Sequence, residues 1–271
     1  MASDHTVWRE PCPMRTTFRE LCAYRPLIHT LVMRDLKARY RGSMLGLLWT
    51  LLNPLLHMGI YALVFSVYLR VQTELYVVFL LCGLLPWIWL SSSLIMGATA
   101  IIEGGGLLKK IFFPPQLLPT ATVTANFVNF LLGIPILFVF LLLYDVREGW
   151  TLCLLPLIMV CQFAFTLGLT LLISAASVHY RDIPHILGHL LTFWFFLSPI
   201  VYKSTQVPEQ FRALLSLNPF TLFVVAYQDI LLYNTPPTWA AFADMLCVSA
   251  LALLSGVLVF IHFRWSFAEE I

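Results

Sequence analysis

The sequence predicts an all-α polytopic membrane protein, and three observations predict it. Hydrophobic residues make up 60% of the 271-residue chain and charged residues only 11%, with a mean hydropathy of +0.85. A water-soluble globule is not built from such a mixture. Six runs contain no Asp, Glu, Lys or Arg: Gly42–Leu69, Leu75–Ile102, Ile111–Tyr144, Gly149–Tyr180, Ile183–Tyr202 and Met245–Phe263. Each approaches or exceeds the roughly 20 residues that cross ~30 Å of hydrocarbon at 1.5 Å per residue. When the breaks are alternated between the two sides, starting inside, 12 of the 16 Lys and Arg fall on the inner side. That bias puts both termini in the cytoplasm.

The N-terminal arm, residues 1–23, carries no apolar run of the kind a cleavable signal peptide needs, so the first span is expected to direct insertion. Cys12 and Cys22 lie in this arm, and Cys82, Cys153, Cys161 and Cys247 lie inside spans. No Cys-x-x-Cys occurs, and cysteines at membrane depth behave as small hydrophobes. Residues 24–41 read as a helix on the membrane surface. At 100° per residue, Thr30, Arg34, Lys37 and Arg41 form one basic stripe, and Leu27, Ile28, Leu31, Val32, Leu36 and Tyr40 spread over the other side. Such a helix anchors in the headgroup boundary or presents a platform to a cytoplasmic partner. Asp35 and Arg39 have the i,i+4 spacing of an ion pair.

The first span carries Trp49, Asn53, His57, Tyr61 and Tyr68 within an arc of about 120°. A polar face does not look at lipid, so this one is expected to line a conduit or to bond a neighbouring helix. At the inner end of the second span, Glu103 is followed by Gly104, Gly105 and Gly106, then by Leu107, Leu108, Lys109, Lys110, Ile111, Phe112 and Phe113, and Pro114-Pro115 close the segment. The glycines are expected to stop one helix and the prolines to hold off the next. The two apolar turns between them are too short to stand alone and need a surface to dock against. Asn126 and Asn129 in the third span read as packing residues. The fifth span repeats the polar-aromatic stripe with His185, His189, Thr192 and Phe196; the two histidines have metal-ligand spacing but no third ligand, and no metal is expected. Residues 203–238 lie outside. Asn218-Pro219 is a helix start, and the apolar run Phe220–Tyr233 is short of a crossing, so a re-entrant pair of helices is expected here rather than a seventh span.

Six stretches in order resemble one family: RDLKARYRGSMLGLLWTLLNPLL (34–56), GLLPWIWLSSSL (83–94), LLKKIFFPPQLLP (107–119), RDIPHILGHLL (181–191), SPIVY (198–202) and VPEQFRALLSLNPF (207–220). The chain resembles the membrane permease subunit of type-2 ABC exporters of surface glycans, which carry O-antigen, teichoic acid or capsule polysaccharide. The resemblance implies a homodimer of six-span subunits in the bacterial inner membrane, working with a homodimer of a separate ATPase. It makes 24–41 an interface helix, 103–113 an ATPase-coupling segment within the 42–263 transmembrane domain, 204–233 the periplasmic gate helices and 264–271 a cytoplasmic tail. It places Arg34, Lys37, Glu103, Leu107, Leu108, Lys109, Lys110 and Phe112 toward the ATPase. Arg39, Arg41, Leu45 and Gly46 would lie near the diphosphate of the lipid carrier. The stripes of spans one and five would line the channel. Its cargo would be a polyprenyl-diphosphate-linked polysaccharide, most simply O-antigen of lipopolysaccharide, and the remaining contacts membrane lipids, with no nucleic acid.

No Gly-x-x-x-x-Gly-Lys-Ser/Thr phosphate loop occurs, so the chain itself is not expected to hydrolyse ATP, and ATP and Mg belong to the partner. It needs no cofactor of its own. Two rivals remain. A drug or lipid efflux permease of the same fold would want a greasier lining than these histidines, asparagines and tyrosines. An intramembrane transferase would want acids or nucleophiles converging at one depth, whereas Glu74, Asp145, Asp229 and Asp244 are scattered.

Overall fold

The computed structural model describes residues 24–40, 42–64, 75–108, 113–146, 149–264 and 267. Among them every regular element is helical. In chain order these are α1 (Arg25–Tyr40), α2 (Trp49–Ala62, entered by a 3-10 turn at Gly46–Leu48), α3 (Tyr76–Glu103), α4 (Gly105–Leu108), α5 (Leu117–Leu143), α6 (Leu155–His179, preceded by a 3-10 turn at Trp150–Leu154), α7 (Ile183–Leu197), α8 (Glu209–Leu217), α9 (Pro219–Leu231) and α10 (Trp239–Phe263).

Among the described residues four helical stretches are long and apolar enough to cross a bilayer: Tyr76–Leu107, Leu117–Leu143, Trp150–His179 and Trp239–Phe263. The fifth predicted span is shorter than expected. Its helix ends at Leu197, because Ser198 turns to extended backbone ahead of Pro199, and 15 residues cover only ~22 Å. The first predicted span is described to Val64 and continues into residues outside the description. At the other end, α10 begins six residues before the predicted Met245, with Thr238 as its N-cap accepting from the Ala241 N–H at 3.2 Å. Asp244 is simply carried on the exposed side of its outer turns, so a charge-free criterion placed the start too late.

The bundle is built around α3. Of its spanning window 78% is buried, against 17% for α10. Trp89 lies among Phe127, Phe130 and Phe163 at ring distances of 4.9, 5.1 and 6.3 Å. Pro86 removes one donor from the helix ladder, and its own carbonyl accepts from Gln162 Nε2 of α6 at 2.9 Å. Gln162, Thr166, Thr170, Ser174 and Ser177 are all fully buried. Spaced three or four apart, they form a small-polar stripe on α6. Three of the hydroxyls, those of Thr170, Ser174 and Ser177, satisfy themselves on backbone carbonyls of their own helix. Small residues let helices meet closely in lipid. A Cβ on Gly168 would run into the backbone of Ala252, and one on Gly256 into the backbone of Gly168, so α6 and α10 touch main chain to main chain.

At this end of the bundle the glycines act as expected: α3 ends at Glu103 with Gly104 as its C-cap, and Gly105–Leu108 make a separate helical turn, with Leu107 packed against a neighbouring apolar cluster. One expectation is corrected. The apolar side of α1 does not lie only in the headgroup boundary. Leu31 and Val32 are buried against Leu117, Leu118, Ala121 and Ala125 of α5, so this helix is docked on the bundle.

Candidate functional site

Helices α2 and α7 both pack on α3 and meet each other at one aromatic pair. Tyr61 stacks on Phe195 at 5.2 Å, and Trp87 of α3 lies 5.6 Å behind Phe195. Leu187, Leu191 and Phe195 turn the apolar side of α7 inward. Its predicted stripe of His185, His189, Thr192 and Phe196 is exposed. Thr192 bonds only to the Gly188 carbonyl one turn back, at 2.9 Å. On α2, His57 is likewise exposed and its Nδ1 reaches only the Asn53 carbonyl, at 2.8 Å. These polar side chains are thus exposed and, where they bond at all, bond their own helix. Leu56 and Ile60 of α2 and Ile186, Leu190 and Phe193 of α7 are exposed beside them.

The first-span stripe does not act as one face. Trp49 and Asn53 line a cavity of about 240 Å³ between α1, α2, α3 and α5, with Arg39, Ser92, Asn126 and Asn129 among its other walls. His57 faces out, Tyr61 packs on α7, and Tyr68 lies outside the described residues. The expected Asp35–Arg39 pair is not formed. Asp35 is held by its neighbour Arg34 at 2.9 Å, while the Arg39 guanidinium donates to Asn126 Oδ1 of α5 at 2.8 Å and rests on Met96 of α3. Arg39 therefore turns into the bundle, because the docked α1 brings it within reach of an amide that the surface-helix picture did not supply. Asn126 and Asn129 in turn belong to a polar cavity rather than to packing alone.

Leu45 and Gly46 sit in the tight turn between α1 and α2. Gly42 and Gly46 both have positive φ, 79° and 47°, a region that other residues enter at a cost. Ser43 Oγ accepts from the Trp49 indole N–H at 3.1 Å and closes this turn. Leu45 is exposed, and Arg41 lies outside the described residues.

On the inner side, the segment after α3 and helix α1 share one apolar cluster. Leu31, Val32, Phe113, Leu117 and Leu118 are its buried members, with Leu107 and Leu36 packed against them. Arg34, Lys37 and Glu103 are exposed around it. The side chain of Leu108 and all of Lys109, Lys110 and Phe112 lie outside the described residues. The cluster thus joins α1 to Leu107 and Phe113, on either side of residues outside the description.

On the opposite side, α8 and α9 meet at 98°. Asn218 makes the corner, as expected: its Oδ1 accepts from the Phe220 N–H at 3.0 Å, capping α9. The same side chain accepts from Trp194 Nε1 at 2.7 Å and donates to Ser198 Oγ at 2.9 Å, which ties the corner to the outer end of α7. Phe220, Phe223 and Val224 are fully buried, so α9 packs back into the bundle. Leu217, Leu214 and Phe211 leave α8 half out of it. This reach across twenty residues was not visible in the sequence, where Asn218 read only as a helix start.

Residues 26–232 match the family described as ABC-2 type transporter. The chain is 43% identical over 255 residues to an O-antigen export system permease protein of Myxococcus xanthus, covering 93% of this chain and 98% of the relative. It is 31% identical over 245 residues to a protein of the same description from Klebsiella pneumoniae, covering 90% and 94%.

Proposed function

Because the chain belongs to the ABC-2 type transporter family, we propose that it is the permease of an ATP-driven exporter carrying a lipid-linked polysaccharide, O-antigen in the first instance, across the bacterial inner membrane. The observation that carries this reading is the near full-length identity to O-antigen export permeases of two genera. The geometry supports it. A polar and aromatic face on α2 and α7 is left open by one subunit, as a lumen shared by a homodimer requires. Hydroxyls, imidazoles and aromatic faces suit sugars better than they suit a greasy drug.

In this proposal a separate ATPase homodimer binds ATP and Mg and seats against α1 and the 103–113 segment, with Arg34, Lys37, Glu103, Leu107, Leu108, Lys109, Lys110 and Phe112 as its contacts. The shared cluster of Leu31, Val32, Leu107 and Phe113 passes its movement to α5. Rigid-body shifts of this sort open and close packed bundles without unfolding them. The carrier's diphosphate approaches Arg39, Arg41, Leu45 and Gly46 from the inner leaflet, sugars run past His57, His185, His189, Thr192 and Phe196, and α8 and α9 gate the outer side. Both termini are cytoplasmic.

The test is genetic. Deleting the chain's gene in its host should remove O-antigen from the cell surface while the lipid-linked glycan accumulates inside, and an intact copy should restore it. Normal surface glycan in the deletion, with altered tolerance of lipophilic drugs, would overturn the reading in favour of efflux.

A further inference from the structure

We propose that the cavity between α1, α2, α3 and α5 is a binding site for one lipid with a phosphate head, the head at Arg39 and the first part of its chain along α3 and α5. The proposal deepens, and rests on, the reading of Arg39 as a head-group residue, and adds a built pocket and a set of neutral partners to it.

The charge argument comes first. The Arg39 guanidinium is permanently protonated, and its protein partner is an amide oxygen, Asn126 Oδ1 at 2.8 Å. An amide accepts the hydrogen bond without cancelling the charge; a carboxylate would cancel it. Asn126 is itself fixed, its Nδ2 donating to the Thr122 carbonyl at 3.0 Å. Asp35, one turn earlier, is committed to Arg34 at 2.9 Å. No acid is among the residues lining the cavity. Arg39 is exposed at the mouth of the cavity, so its charge is open to an arriving anion and no carboxylate there competes for it. Guanidinium forks suit phosphate oxygens. Asn53, Asn129 and Ser92 add neutral hydrogen-bonding groups on the same walls. Trp89, also a wall, buries an indole N–H that has no partner among the described residues.

The shape argument selects a lipid over a free ion. The other lining residues include Leu85, Ile88, Phe130 and Gly133. Gly133 is seven residues beyond Asn126 on α5, about 10 Å deeper at 1.5 Å per residue. The cavity is thus polar at the level of Arg39, on the inner side, and apolar toward the bilayer centre, the polarity of an inner-leaflet lipid. Its volume of about 240 Å³ is many times the ~10–15 Å³ that a single water needs.

Two lipids share this chemistry, a resident anionic phospholipid and a polyprenyl diphosphate. The experiment is native mass spectrometry of the delipidated full-length chain with dioctanoyl phosphatidylglycerol, dioctanoyl phosphatidylcholine and farnesyl diphosphate. One phosphatidylglycerol or one farnesyl diphosphate per chain should bind at least tenfold tighter than phosphatidylcholine. Arg39→Gln should lose that preference. Asn126→Asp is the sharper variant: nearly isosteric, it supplies the missing counter-charge while giving up the bond to the Thr122 carbonyl, so it should lose anion binding tenfold or more at some cost in thermal stability, with helix content by circular dichroism unchanged. Tighter binding of the diphosphate would assign the site to the cargo, and tighter binding of phosphatidylglycerol to a resident lipid. No preference over phosphatidylcholine, or wild-type binding by Asn126→Asp, would overturn the proposal. Neither result touches the export reading, which surface glycan tests separately.

Discussion

Trp194 donates its indole N–H to Asn218 Oδ1 at 2.7 Å, and through that one bond the end of the short helix α7 holds the corner between α8 and α9. Asn218 meanwhile caps α9 and bonds Ser198. Asn218→Leu should therefore leave an indole N–H and a helix start unsatisfied together, at about 1–3 kcal/mol for a buried polar group, while the Ser198 hydroxyl keeps its bond to the Trp194 carbonyl. Trp194→Phe removes one donor and keeps most of the ring, and should cost about 1 kcal/mol. Thermal unfolding of the purified permease in detergent, followed by size exclusion, gives the order. Equal midpoints for both variants and wild type would show that packing alone holds the corner.

The α6–α10 contact makes a second prediction. Gly168 and Gly256 admit no Cβ without moving a backbone, so Gly168→Val should cost at least the ~1–3 kcal/mol of an overpacked core. Gly188 on α7 has nothing within 4 Å of its Cβ position. Gly188→Ala should leave subunit folding unchanged or raise it by up to ~1 kcal/mol through helix propensity. Loss of stability in Gly188→Ala equal to that in Gly168→Val would contradict the packing described.

His57 and Tyr61 should separate transport from folding. His57 bonds only its own helix, so His57→Leu should reduce glycan export several-fold with an unchanged melting temperature. Tyr61 stacks on Phe195, and aromatic pairs contribute ~0.5–1.5 kcal/mol beyond area. Tyr61→Ala should therefore lower both. Export at wild-type level by His57→Leu would remove that residue from the lumen.

Coupling is tested at the shared inner cluster. Leu31 is 2% exposed, and Leu31→Ala should cost ~2–3 kcal/mol and let ATP hydrolysis proceed with less export. Exposed Lys37 contributes little to the fold, so Lys37→Glu should weaken ATPase binding and spare stability. Both are read by co-purification and by ATPase rate per glycan exported. Normal coupling in both would place the ATPase elsewhere.

The all-helical membrane fold and the α8–α9 corner were legible in the sequence because hydropathy runs, Asn218-Pro219 and the two prolines at 114 and 115 act locally. The course of Arg39 was not legible. Its spacing from Asp35 fits a helical pair, but the partner it takes, Asn126, is 87 positions away, and only docking of α1 on α5 decides between them. The unity of the first-span stripe failed for a related reason. A 120° arc on one helix can face a cavity, an open surface and a neighbour in turn as it rises, and periodicity records the arc alone. The buried hydroxyls of α6 were spaced plainly enough, yet that spacing does not say which helix they meet.

The deep enclosure of α3 has a consequence for how the protein is made. Insertion proceeds from the N-terminus, so this helix enters the bilayer long before α9 is synthesised. Trp87, which ends 5.5 Å from Phe220, must wait through nearly half the chain for that neighbour. By then Trp194 and Phe195 already lie against its indole, so what residues 219–231 add is the last wall of a helix that its earlier neighbours have begun to enclose.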